Sequence, residues 1–421
     1  MPLGEQVALE ALEASDRVVE ETAYLGDVAC DGEDLGTQPV SNRDADVRRD
    51  RCLELCRCRG QGLDLLAGAV EGGCDVGGFR SSCGGVGDPL LRAFKGKSVH
   101  RRRGYSPRRM DTDELDYDLP AELIAQHPAE RRDESRLLVY RKDTGVIEHR
   151  RFSDLPDLVE DRLVVVNDTK VVPARLALRR ETGGAVEVLL VESLGDRQWE
   201  ALARPSRRLR PGDRLGPVSL LETLGAGRWV VELEGEPNGS VPLPPYIHEE
   251  IEDTARYQTV YAEALGSAAA PTAGLHFTDG LVRQLDPARV TLHVGLDTFR
   301  PVTEMRVEDH ELHGERYTVT AKAWERVGAA RRVLAVGTTT VRVLETVARG
   351  GELTGRTSLF VTPGYAFRRV DALLTNFHLP RSTLLVLVMA FAGVEETRAI
   401  YREAIAERYR FYSFGDAMVV L

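Results

Sequence analysis

Between about Val172 and Glu236 the chain runs through five short stretches of strand character: Ala174 to Leu178, Ala185 to Val191, Trp199 to Ala203, Val218 to Leu221 and Trp229 to Leu233. No helix of ordinary length fits between them, and the spacers carry turn residues, Gly183-Gly184, Pro211-Gly212-Asp213 and Gly225-Ala226-Gly227. Strands this short leave exposed edges unless the sheet closes, so a small antiparallel β-barrel over residues 172–239 is predicted. On either side the pattern is mixed. Arg136 to Tyr140 and Leu163 to Asn167 read as strands, the second apolar on both faces and hence central. Leu119 to Ala125 reads as a short helix with Pro120 at its start. Lys322 to Arg332, Val333 to Val336 and Thr340 to Ala348 read as helix, strand and helix. The expected architecture is an α/β main domain, residues 110–171 and 240–421, interrupted by the barrel.

Residues 1–109 differ in character. All six cysteines lie there (Cys30, Cys52, Cys56, Cys58, Cys74, Cys83), among scattered glycines and with little apolar periodicity. Little of this stretch repays ordering entropy by burial, and Met110, the first methionine after Met1, stands where globular pattern begins. A disordered extension, or one arising from a start codon placed too early, is expected. Cys52, Cys56 and Cys58 have no second pair at zinc-site spacing, so no metal is expected. The formal net charge of −11 argues against a protein that coats nucleic acid, though not against a local basic patch. The longest apolar run, Leu384 to Phe391, is far too short to cross a bilayer, and the acidic start lacks the form of a secretory signal, so a cytoplasmic protein is expected.

Several segments carry polar groups beside apolar strands. In Ala335 to Arg342 a strand ends in Gly337, Thr338 and Thr339, with Arg342 placed in the first turn of the next helix. Such a junction suits a phosphate or a carboxylate, or is only a threonine cap. Ala270 to Thr278 is a loop bounded by Pro271 and Gly274 that presents Thr272 and His276 ahead of a helix cap at Thr278. Its imidazole is a proton-transfer candidate, or else is tied to a carbonyl. Alternation sets His293 opposite Leu292 and Val294, facing a cleft or solvent. His310, His313 and Glu315 fall within about a turn; two imidazoles at i and i+3 suggest a metal, but Gly314 weakens a helix there, and metal-free proton transfer is as well served. Asn376 and His378 precede the helix Leu384 to Phe391, capped by Ser382 or Thr383.

Taken together and in order, these segments resemble the S-adenosylmethionine:tRNA ribosyltransferase-isomerases of queuosine biosynthesis. The resemblance spans Asp116 to Val420. It is carried by Tyr117-Asp118-Leu119-Pro120, Asn167-Asp168-Thr169-Lys170-Val171, Pro173-Ala174-Arg175-Leu176 and Pro242 to Ile247, and by Tyr257-Gln258-Thr259-Val260-Tyr261-Ala262 and Ala270 to Thr278. Leu292-His293-Val294-Gly295, Thr298 to Val302, Val336 to Thr339, Thr375 to Pro380 and Tyr412 to Met418 complete it. Three departures stand out: Lys170 where the family commonly has Arg, Asp297 where it usually has Gly, and residues 1–109 with no counterpart.

The resemblance implies transfer and isomerisation of the ribosyl part of S-adenosylmethionine onto the aminomethyl-7-deazaguanine (preQ1) base at the tRNA wobble position, giving epoxyqueuosine-tRNA, adenine and methionine. S-adenosylmethionine would then be a consumed cosubstrate, with no further cofactor and no metal, and a monomer acting on tRNA is expected. The sulfonium acidifies the neighbouring C5′ hydrogens, so the protein must supply a base, an acid for adenine and preorganised charge. Candidates for proton transfer are His276, His313, Glu315 and His378. Asn167, Asp168, Thr272, Gly274 and Asn376 would orient the cosubstrate, and Gly337, Thr338, Thr339 and Arg342 would hold its carboxylate or an RNA phosphate. Lys170, Arg175, Arg207, Arg208 and Arg210, with Arg204 beside them, are the expected tRNA contacts, a solvated charged face being the alternative. A non-catalytic tRNA-binding module and a metal-dependent hydrolase are the competing functions.

Overall fold

The computed structural model describes residues 109–249, 251, 253–295, 301–312 and 314–421. The expectations for residues 1–108, for Leu296 to Arg300 and for His313 lie outside the described residues. In chain order the strands are β1 (Arg136–Arg141), β2 (Val146–Arg151), β3 (Leu163–Asn167), β4 (Thr169–Val171), β5 (Arg175–Arg179), β6 (Ala185–Gly195), β7 (Gln198–Arg204), β8 (Arg214–Leu215), β9 (Val218–Gly225), β10 (Arg228–Leu233), β11 (Ala264–Ser267), β12 (Ala288–Leu292), β13 (Glu315–Val319), β14 (Val333–Val336), β15 (Thr354–Thr357), β16 (Ala372–Asn376) and β17 (Ala417–Val420). The α-helices are α1 (Leu155–Leu158), α2 (Asp279–Leu285), α3 (Ala321–Ala329), α4 (Thr338–Ala348), α5 (Thr383–Ala392) and α6 (Val394–Ala406).

Nine strands form one mixed sheet in the order β15-β13-β12-β3-β14-β16-β17-β1-β2. β3 lies inside it, parallel to both β12 and β14, as its apolar faces require. Its alternation divides the core. Val164 and Val166 pack with Phe152, Leu155, Phe277 and Leu281 on one side, while Val165 packs with Val341, Leu344, Val386 and Ile400 on the other. The first layer comes from α1, α2 and the segments beside them, the second from α4, α5 and α6. α5 has almost every residue buried, which is why its sequence is apolar on all faces.

The inserted segment is a six-stranded antiparallel sheet in the order β5-β6-β7-β10-β9-β8, curled around Val188, Leu190, Ala201, Val218, Leu220, Trp229 and Val231. The end strands β5 and β8 have no ladder between them among the described residues, so the barrel is nearly closed. A sixth strand, β8, is only two residues long, too short to register as a sequence pattern.

Other elements differ from their sequence reading. Leu119 to Ala125 holds only a three-residue 3-10 turn, Ala121–Leu123, because Ile124 turns extended and bridges to Phe411. α3 stops at Ala329, before Arg332. α4 starts at Thr338 rather than Thr340, since Gly337 takes the positive φ of +86° that ends the strand and lets the helix begin at once. Arg342 therefore lies in the second turn. His310 follows the 3-10 turn Val307–Asp309 and Glu315 opens β13, so among the described residues neither lies on an α-helix. No helix of the described residues is long and apolar enough to cross a membrane.

Candidate active site

A cavity of about 840 Å3 lies between the outer face of the barrel and the carboxyl-end edge of the large sheet. This is within the range usual for a small-molecule site, and the ends of parallel strands are where open α/β sheets place ligands. The barrel contributes Arg175, Glu187, Leu189, Val191, Glu192, Glu200, Leu202, Arg204 and Arg228. Glu187, Leu189 and Val191 of β6 and Glu200, Leu202 and Arg204 of β7 alternate with the barrel core, so strand periodicity aims them outward together, while Glu192 joins them where the β6–β7 register shifts. The main domain supplies Leu265 and Gly266 of β11, His293 to Gly295 beyond β12, Glu315 and Arg316 of β13, Arg356 of β15, Thr338, Thr339 and Arg342 of α4, and Thr383 at the start of α5. Two helix amino termini therefore open on the cavity. Their first-turn N–H groups have no intrahelical acceptor and favour an anion.

The charged lining is paired. Arg342 donates to the Glu315 carboxylate and also to the carbonyls of Leu359 (3.0 Å) and Thr357 (3.0 Å). Glu315 accepts in addition from the Gly295 N–H at 2.9 Å. Both side chains are about nine-tenths buried, so this ion pair is held rigidly in the wall. Arg228 lies 2.6 Å from Glu200. Glu192 of the barrel receives Arg316 at 2.9 Å and Arg356 at 2.6 Å, both from the large sheet, and so ties the two walls together. Burial alone would raise the Glu192 carboxyl, but Arg356 and Arg316 outweigh it and hold it below its ordinary value.

His293 lies on this lining with its Nδ1 2.9 Å from Thr169 Oγ1. Desolvation first, then the Arg316 charge, depresses its pKa, with Glu192 acting in the opposite sense. The other histidines singled out by sequence lie elsewhere. His276 is buried, stacked on Phe152, with Nδ1 2.9 Å from Ser135 Oγ and Nε2 3.2 Å from Asn376 Nδ2. Asn376 can only donate through that nitrogen, so the ring proton is on Nδ1 and is donated to Ser135 Oγ, whose hydroxyl in turn donates to the Arg132 carbonyl at 3.2 Å. His378 Nε2 meets Thr375 Oγ1 at 2.7 Å, also buried. Burial pushes both rings down to about 3, with Arg410 and Arg132 adding to the effect at His276. Neither ring is on the cavity lining. His310 Nδ1 is 2.7 Å from Glu304.

Asn167 is fully buried at the end of β3. Its amide binds the Leu292 carbonyl (3.0 Å) and Thr339 Oγ1 (3.2 Å), and its carbonyl accepts from Leu292 N (2.9 Å) and Thr169 N (3.2 Å). It pins β12, β4 and α4 to one another, fixing the cavity floor from beneath. Asp168 accepts from Thr291 Oγ1 at 2.6 Å; burial raises its pKa, an effect that this hydrogen bond partly offsets. Gly274 follows Thr272 in a 3-10 turn where a Cβ would overlap the Tyr261 hydroxyl. Of the residues singled out by sequence, Arg175, His293, Glu315, Thr338, Thr339, Arg342 and Arg204 meet in the cavity. Arg207, Arg208 and Arg210 are exposed on the loop that leaves β7 from Arg204 and are not part of the cavity lining. Lys170 is exposed on β4. Sequence reasoning missed Glu192, Glu200, Arg228, Arg316, Arg356 and Gly266. The one signal for them was that Leu189 and Val191, on the outer face of a barrel strand, are apolar, which implies that something covers that face.

Comparison with known proteins places these features in context. The family model described as queuosine biosynthesis protein matches residues 112–420. An S-adenosylmethionine:tRNA ribosyltransferase-isomerase of Rubrobacter xylanophilus is 54% identical over 328 residues, covering 74% of this chain and 98% of its own length. Another, from Symbiobacterium thermophilum, is 51% identical over 344 residues, 74% of this chain and 100% of its own. Among solved structures, the S-adenosylmethionine tRNA ribosyltransferase of Thermotoga maritima is 39% identical, covers 73% of this chain and 100% of that one, and superposes with a TM-score of 0.44.

Proposed function

The chain belongs to the queuosine biosynthesis family of S-adenosylmethionine:tRNA ribosyltransferase-isomerases, and on that premise we propose that the cavity between barrel and sheet holds S-adenosylmethionine against the preQ1 base at the wobble position of a tRNA. Ribosyl transfer and isomerisation there give epoxyqueuosine-tRNA, adenine and methionine, with S-adenosylmethionine consumed and no other cofactor. The observation that carries the reading is the opening of the α4 and α5 amino termini onto a cavity walled on one side by a barrel face that carries Arg175, Arg204 and Arg228 beside Glu187, Glu192 and Glu200. Thr338, Thr339 and the first-turn N–H groups of α4 receive the methionine carboxylate, and the Arg342–Glu315 pair holds the adjoining wall rigid. Asn167 orients Thr339 for this contact. Leu189, Val191 and Leu202 offer apolar surface to the adenine ring.

The tRNA approaches along Arg204, Arg207, Arg208 and Arg210, its backbone neutralised outside the cavity while one splayed base enters it. Arg175 sits on the cavity side of the same barrel face. The protein acts on this reading as a monomer, in the cytoplasm, where its tRNA is found. The full chain incubated with S-adenosylmethionine and preQ1-tRNA is expected to release adenine and to yield a nucleoside with the mass of epoxyqueuosine. RNA binding without either product would refute the reading in favour of a non-catalytic tRNA-binding module.

A further inference from the structure

We propose that His293 is the catalytic base of this enzyme, taking a C5′ proton of S-adenosylmethionine on its Nε2 and returning it to adenine as adenine departs. The inference rests on the function proposed above. His276 and His378 are buried off the cavity lining, His276 with both ring nitrogens engaged by protein groups and His378 with its Nε2 on Thr375, and Glu315 is committed to Arg342 and the Gly295 N–H. Among the described residues lining the cavity, His293 is the one imidazole.

The surroundings of His293 are built for it. The ring lies flat over Gly266, where a Cβ would stand 2.9 Å from Cε1, 3.0 Å from Nδ1 and 3.1 Å from Nε2. Gly266 has φ +149°, and the β4–β11 pairing shifts register just there, so the backbone is bent aside at the residue that must have no side chain. On the other edge Thr169 Oγ1 meets Nδ1 at 2.9 Å, and Asn167 holds the Thr169 backbone. That hydroxyl also lies 3.5 Å from the Ala264 carbonyl, which can only accept. With the hydroxyl proton directed there, Oγ1 accepts from Nδ1–H, and Nε2 keeps its lone pair. The charged groups facing the ring are Arg316 and Glu192; burial and Arg316 outweigh the opposing Glu192 and favour the neutral imidazole that a base requires.

The step balances. The C5′–H pair becomes the C4′=C5′ bond as C4′–O4′ breaks, and the O4′ pair forms the C1′ carbonyl as C1′–N9 breaks. Adenine leaves with that pair and takes the proton from the imidazolium, which restores neutral His293. The amine of the deazaguanine then meets an opened, electrophilic sugar.

His293→Ala and His293→Gln, compared with wild type, test the assignment through adenine release, deuterium exchange at C5′ in heavy water, and S-adenosylmethionine affinity by calorimetry. Loss of turnover by about a hundredfold to ten-thousandfold, with affinity retained, is expected for both variants, and added imidazole is expected to restore part of it to the alanine variant. Gly266→Ala, which displaces the ring without removing it, is expected to slow exchange in the same direction. Wild-type turnover in either histidine variant, or lost affinity with no rescue by imidazole, would overturn the assignment while leaving the function intact. A wild-type protein that releases no adenine from S-adenosylmethionine and preQ1-tRNA would refute the function itself, and the assignment with it.

Discussion

Two imidazoles buried away from the cavity lining make the fold sensitive to acid. His276 and His378 are each pushed to about 3, against an ordinary value near 6.5. Above pH 6.5 both folded and unfolded chains carry these rings neutral. Below it the unfolded chain takes up two protons that the folded chain refuses until about pH 3, so stability is lost across that window at about 1.4 kcal/mol per pH unit per ring. Moving from pH 7 to pH 5 thus costs about 2 kcal/mol per ring and about 4 kcal/mol for the pair, a large share of a typical stability of about 5–15 kcal/mol. Urea unfolding of the full chain at pH 7, 6 and 5, followed by circular dichroism, gives the slope. His276→Gln and His378→Gln are each expected to flatten it by about 2 kcal/mol over that interval. The slope is the readout rather than the level, because replacing His276 also removes packing against Phe152. A pH dependence identical in wild type and both variants would refute the reasoning, showing that the rings titrate in the fold as they do in the unfolded chain.

Glu315→Gln keeps the shape of the cavity wall but leaves Arg342 without its counter-charge, so turnover is expected to fall with tRNA affinity little changed; equal turnover would remove the carboxylate from the mechanism. Gly274→Ala places a methyl group on the Tyr261 hydroxyl and within 2.8 Å of Thr259 Cγ2, and a loss of about 1–3 kcal/mol in urea unfolding is expected; unchanged stability would show that the loop yields freely. Reversing charge at Arg207 and Arg208 is expected to weaken tRNA binding and to lower the slope of log affinity on log salt by about one per lost phosphate contact. Filter binding across a salt series measures it, and an unchanged affinity would defeat docking along that loop.

Sequence alone determined the parts whose signal is local. The valines of β3 announced a strand buried on both faces, and turn residues at short intervals announced the antiparallel barrel, because pleat and turn chemistry act over a few residues. The ordered motifs also identified the family, since 112–420 matches its model. What the sequence left open was decided by contacts between distant segments. His276, His293 and His378 are alike as residues in polar loops. The fold alone sets two of them behind Phe152 and Thr375, and the third over a glycine 27 positions earlier, facing the cavity. Glu192 and Arg356, 164 positions apart, pair across two sheets with no periodicity to announce it. Arg342 read as a first-turn cation free for a ligand, and became the buried partner of Glu315 because Gly337 let α4 begin two residues sooner. A side chain's chemistry is fixed by its identity, but its pKa, its partner and its access to substrate depend on which remote surface the fold sets against it.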